Sequence, residues 1–108
     1  MRRTPLRRIG AVTRKQMAFN KSMMQRWTKA LGKVPTCAVT GQAGVVVGHI
    51  VDVAVDPSMR FDPKNVAPIT KWVNGRMRKS ECDPKFRFDA HGLMLLWNDI
   101  FWEEHPEA

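Results

Sequence analysis

The chain has 108 residues, is 44% hydrophobic and 26% charged, and carries a formal net charge of +8. That length suits one compact domain rather than two. No apolar run approaches the roughly 18–20 residues of a membrane span, so no membrane association is expected. Its two cysteines, Cys37 and Cys82, are too few for a disulfide framework.

The opening stretch, MRRTPLRRIGAVTRK, is basic but lacks the apolar segment of a secretory signal. The expected location is therefore cytoplasmic. Charge is unevenly placed: residues 1–51 hold ten Lys/Arg and no Asp or Glu, whereas the remainder holds eight basic and ten acidic residues. A positive field confined to one half points to a polyanionic partner, although charge alone does not separate DNA from RNA.

Residues 1–12 read as a basic flexible arm, with Arg2, Arg3, Arg7 and Arg8 in two pairs around Pro5 and little apolar surface to order them. Thr13 is a candidate cap for a helix ending near Leu31, before Gly32. Met17, Met24, Trp27 and Leu31 form its apolar stripe. Arg14, Lys15, Lys21, Arg26 and Lys29 lie on the other side. A β-hairpin is expected next, from Ala38–Thr40 and Val45–Val51 around Gly41–Gly44. Residues 52–64, with two prolines and three aspartates, read as an ordered loop. Val66–Ile69 reads as a short strand limited by Pro68. Thr70 is a cap for a helix from Lys71 to about Lys79, with Arg76, Arg78 and Lys79 near its end. Phe86 and Phe88 read as a short extended piece, and His91–Glu104 as a final helix with Leu93, Leu96, Trp97, Ile100 and Phe101 on its apolar face.

Three residues in the middle of the chain stand at suggestive spacing. His49 ends an apolar strand, Asn65 follows sixteen residues later, and Asn74 follows nine after that. Gly48 precedes His49, Pro57 lies eight residues beyond it, and Met59-Arg60-Phe61 comes between Pro57 and Asn65. This pattern resembles the ββα-metal (HNH) nuclease superfamily, here as H-N-N. Within that superfamily it is most similar to the Rap (NinG-type) recombination nucleases of lambdoid phages. The resemblance covers about residues 37–80. It implies an α+β fold in which a central ββα-metal unit is flanked by an N-terminal and a C-terminal helix, all within residues 13–108.

The resemblance also implies chemistry. Phosphodiester hydrolysis needs an activated water, a neutralised phosphate and help for the leaving oxygen. His49 would be the general base and Asn65 would orient it. Asn74, with His49 beside it, would bind a single Mg²⁺ or Mn²⁺, ions that prefer oxygen ligands and keep several waters. Arg60 would contact phosphate, and DNA would also meet Arg2, Arg3, Arg7, Arg8, Arg14, Lys15, Lys21, Arg76, Arg78 and Lys79. The partner would be branched or recombination-intermediate DNA inside a bacterial host cell. Action on two strands would favour a homodimer, and no small-molecule cofactor is implied.

Two departures bear on activity. Many HNH proteins place an Asp directly before the base histidine, where this chain has Gly48. Many also hold a structural zinc with two Cys-x-x-Cys pairs. The matching segments here are Cys37-Ala-Val-Thr40 and Thr70-Lys-Trp-Val73, which keep one cysteine of four, so a closed zinc site is not expected. Other readings of the same residues stay open. His49 could be a core histidine, Asn65 a turn residue, and Asn74-Gly75 a helix C-cap. His91 and His105 read as helix-start and tail residues, while Asp52, Asp56 and Asp62 are carboxylates that could reach a metal. A non-catalytic DNA-binding module on a degenerate HNH scaffold is the alternative to a nuclease, and a basic factor that binds RNA or a host protein is a third reading.

Overall fold

The computed structural model describes residues 4–52 and 55–108, with side chains from Arg14 onward. Among the described residues the fold is α+β, with three helices and one two-stranded antiparallel sheet. In order these are α1 (Thr4–Leu31), β1 (Val45–His49), β2 (Val66–Thr70), α2 (Lys71–Arg78) and α3 (Pro84–Glu104).

Helix α1 starts at Thr4, ahead of the expected Thr13 cap. Gly32 ends it with φ +77, a conformation that favours glycine, and its N–H returns to Thr28 O at 2.9 Å. The buried anchors are Met23 and Trp27, both at 0% exposure, whereas Met17 of the expected stripe is 64% exposed.

The expected hairpin is not the one formed. Residues 38–40 are a turn, and β1 pairs with β2 across the long intervening loop, His49 opposite Val66 and Val45 opposite Thr70. Local bonds explain this: Gly41 N–H donates to Cys37 O and Cys37 N–H to Gln42 O, both at 2.8 Å, which curls the segment on itself. The turn then docks on the far edge of β2, where Ala38 N–H donates to Pro68 O at 2.8 Å. Pro68 does not limit the strand. Ile50 N–H donates to Asn65 O, so bonded pairs alternate from there and Pro68 falls opposite Val47 in a non-bonded pair. Its missing N–H costs the ladder nothing at that position.

Alternation along β1 and β2 divides the core in two. On one side Val47 and Val66 pack with Met23, Trp27 and Phe101, tying α1 and α3 to the sheet. Trp27 meets Trp97 edge-on at 5.2 Å, and Trp97 stacks on Phe101 at 5.2 Å. On the other side Ile50, Ala67 and Ile69 pack with Cys37, Val73 and Met94.

Thr70 caps α2 by accepting from Val73 N–H at 3.2 Å. Helix α3 begins earlier than expected, because Asp83 caps it (Lys85 N–H, 3.0 Å) and Pro84 supplies the first position. Phe86 and Phe88 are therefore helical rather than extended. Buried Asn98 donates from Nδ2 to Pro63 O (3.1 Å) and Val66 O (2.8 Å), which fixes the start of β2 against α3. No helix among the described residues is long and apolar enough to cross a membrane.

Candidate active site

His49 closes β1 and is half-buried. Its Nε2 lies 2.8 Å from Arg60 O. A carbonyl can only accept, so Nε2 carries the proton and Nδ1 is left as the basic nitrogen. In the neutral ring this bond fixes which nitrogen carries the proton.

The loop that presents this carbonyl is heavily tied. Asp56 caps a 3₁₀ turn at Pro57–Met59 and accepts from Ser58 N–H at 3.1 Å. Asp62 caps a second at Pro63–Asn65 and accepts from Lys64 N–H at 2.9 Å. Asn65, 1% exposed, staples the loop with both ends of its amide. Its Oδ1 accepts from Val51 N–H (2.8 Å), and its Nδ2 donates to Val51 O (3.1 Å) and Met59 O (3.3 Å). None of these bonds reaches His49. Asn65 is linked to His49 only through the loop: its amide bonds Met59 O, and the next residue, Arg60, presents the carbonyl that bonds His49.

His49 and Asn74 meet in one cleft of about 340 Å³ between β1, α2 and α3. Ile50 and Ile69 give it apolar walls, and Asp52, Arg78, Arg87 and His91 are its other polar residues. Arg87 and His91 are site residues that the sequence pattern alone does not single out. Their spacing of four on one helix becomes a usable signal once α3 begins at Pro84. Arg87 donates from Nε to Met77 O (3.1 Å) and from Nη2 to Lys79 O (2.7 Å), satisfying carbonyls at the end of α2. It locks α2 to α3 and so sets the width of the cleft.

Asp52 is the carboxylate that reaches the cleft, while Asp56 and Asp62 serve as caps. Among the described residues no group of three or more His, Cys, Asp or Glu is placed to hold a metal ion. Among the described residues that line the cleft, Asn74 carries a side-chain amide oxygen and Asp52 a carboxylate. Such a set fits a hydrated hard ion completed by a substrate phosphate, not an ion caged by protein.

The two segments matched to zinc-binding pairs do converge. Cys37 Sγ accepts from Thr40 N–H and Thr70 N–H, both at 3.4 Å, and Val73 is packed beside it. Burial pushes the Cys37 thiol up, but hydrogen bonds from Thr40, Thr70 and Val39 outweigh it and hold the thiol below its usual range. One sulfur, two threonines and a valine make a packed, hydrogen-bonded corner.

The expected DNA contacts are scattered. Arg14, Lys15 and Lys21 are exposed on α1. Arg78 lines the cleft, and Lys79 is exposed just beyond α2. Arg76 lies over Trp72 (5.4 Å) and Phe86 (5.6 Å), which stiffens it on the outside of α2. Arg60 is half-buried and acts on His49 through its carbonyl. Arg26, placed by sequence on the basic side of α1, instead donates from Nη2 to Ala108 O at 2.7 Å and lies over Trp102. Arg2 and Arg3 lie outside the described residues, as do the side chains of Arg7 and Arg8. Compared with protein-family models, curated proteins and solved structures, the chain returned no match.

Proposed function

We propose that the protein is a metal-dependent DNA endonuclease of HNH type, built on a β1–β2–α2 unit, and that branched DNA is its substrate. The observation that carries this reading is the His49–Arg60 carbonyl bond in a cleft shared with Asn74 and two arginines. A tautomer-fixed imidazole, an amide oxygen and cations in one concave site are the parts that phosphodiester hydrolysis requires.

In this reading His49 Nδ1 takes the proton from the attacking water while Nε2–H stays on the Arg60 carbonyl. Arg78 and Arg87 neutralise the phosphate in the cleft. Asn74 and Asp52 would hold a hydrated Mg²⁺ or Mn²⁺, which supplies charge stabilisation at the phosphate and the leaving oxygen. The exposed cations of α1 would bind flanking phosphates, and cleavage of paired strands would be served by two copies of the chain.

A second reading has a specific observation in its favour. At Gly48, where many HNH proteins carry a carboxylate, an added Cβ would lie 2.6 Å from Ile69 Cγ1. The position is closed by packing, which suits a DNA-binding module that has lost its metal. Plasmid nicking with Mg²⁺, Mn²⁺ or EDTA separates the two. The nuclease reading expects nicking that needs the ion and falls sharply in Asn74→Ala. Tight, EDTA-insensitive binding without nicking supports the module and overturns the nuclease.

A further inference from the structure

The outer side of α2 carries an aromatic cluster that neither the core nor the cleft uses. Trp72 is 60% exposed. Its indole meets Phe86 of α3 edge-on, with centroids 6.0 Å apart and planes at 81°. The Arg76 guanidinium lies over both rings, 5.4 Å from the Trp72 centroid and 5.6 Å from that of Phe86. Packing does not call for so large a ring here, since Val73 already anchors α2 in the core and Arg87 ties it to α3. Three groups that hold one another lose little freedom when a ligand arrives, so the surface is preorganised.

The surroundings say what fits it. Residues 71–79 hold Lys71, Arg76, Arg78 and Lys79 and no Asp or Glu. The carboxylates just beyond are engaged: Glu81 accepts from Ser80 Oγ at 3.1 Å, Asp83 caps α3, and Asp89 pairs with Lys85 at 2.9 Å. A cationic ligand does not fit, because Arg76 already takes the cation's place over the indole. A flat π-face carried on an anionic chain does, and a nucleobase on its sugar-phosphate strand is that ligand. A base inside a duplex shows only its edges in the grooves, so the base that stacks here is unpaired. The opposite side of α2 presents Asn74 and Arg78 to the cleft, about the width of a helix away, roughly 10–12 Å.

We propose that Trp72, Phe86 and Arg76 form a stacking platform for an unpaired base of a DNA strand that runs past the cleft, with Lys71 and Lys79 beside its phosphates. The proposal rests on the reading of the chain as a DNA-binding protein and not on hydrolysis.

The test is binding of the full chain, in EDTA to prevent cleavage, to three probes of equal length: a thymidine single strand, the same strand with abasic sugars in place of its nucleotides, and a duplex. Trp72→Ala should weaken binding of the thymidine strand about 5- to 100-fold, the range of one lost base stack. Its duplex affinity and melting temperature should stay in place, and Trp72→Phe should recover most of the loss. The unaltered chain should bind the abasic strand as weakly as Trp72→Ala binds the thymidine strand. Equal affinity of the unaltered chain for the two single strands overturns the proposal, and that comparison needs no variant. An equal loss on single strand and duplex in Trp72→Ala overturns it too. In both cases the chain still binds DNA, and the proposed function stands. Binding to none of the three probes overturns the platform and the proposed function together.

Discussion

Asn65 spends its whole amide on the loop between the strands, bonding Val51 on both backbone atoms and Met59 on its carbonyl. Asn65→Ala would leave the Val51 N–H without its acceptor, a loss of about 1–3 kcal/mol. The urea midpoint should fall with an unchanged slope. Asn65→Asp keeps the acceptor for Val51 N–H but sets a buried carboxylate oxygen against the Val51 and Met59 carbonyls, so at neutral pH its midpoint should fall below that of Asn65→Ala. Equal midpoints for the two variants would contradict this. Asn65 and His49 are both legible in the sequence, since they stand at telling spacing. The order of action is not, because the link between them runs through the Arg60 carbonyl, and a backbone atom leaves no trace in residue type.

At the scale of elements, Gly48 decides how closely β1 packs. An added Cβ there meets Ile69 Cγ1 at 2.6 Å and Met94 Cε at 3.4 Å. Overpacking of this kind costs about 1–3 kcal/mol. Gly48→Ala should therefore lower stability, and combining it with Ile69→Ala should cost less than the sum of the two singles, since the second change removes the colliding atoms. Strict additivity in a double-mutant cycle would refute the packing argument. The caps Thr70 and Asp83-Pro84 are written in residue type, and with them α2 and the true start of α3. The pairing of β1 with β2 is not. That pairing joins segments separated by a loop held by Asp56, Asp62 and Asn65, while Gly41–Gly44 offers a nearer turn. Short local bonds around Cys37 consume that turn, and nothing in the pattern of apolar residues reveals such competition. His91 is hidden by the start of its helix: with Pro84 at the first position it sits two turns inside α3, facing the cleft, rather than at a helix start.

For the whole molecule, the uneven charge becomes a division of labour. Acid-free residues 1–51 supply α1 with exposed cations, and the cleft adds Arg78 and Arg87. If α1 lies along phosphates, DNA affinity should fall linearly with salt on logarithmic axes. Replacing Arg14, Lys15 and Lys21 by Ala should reduce the slope by about two to three, near 0.9 for each phosphate no longer neutralised. An unchanged slope would take α1 out of the interface. The most direct measurement is the initial rate of nicking of supercoiled plasmid and of a four-way junction in Mg²⁺ or Mn²⁺, set beside DNA affinity, for the unaltered chain and His49→Ala. A fall of about 10²–10⁴ in rate with affinity and melting temperature retained is the expected result. Equal rates in the two proteins, or no cutting by either despite tight binding, would contradict the assignment of His49 as the base.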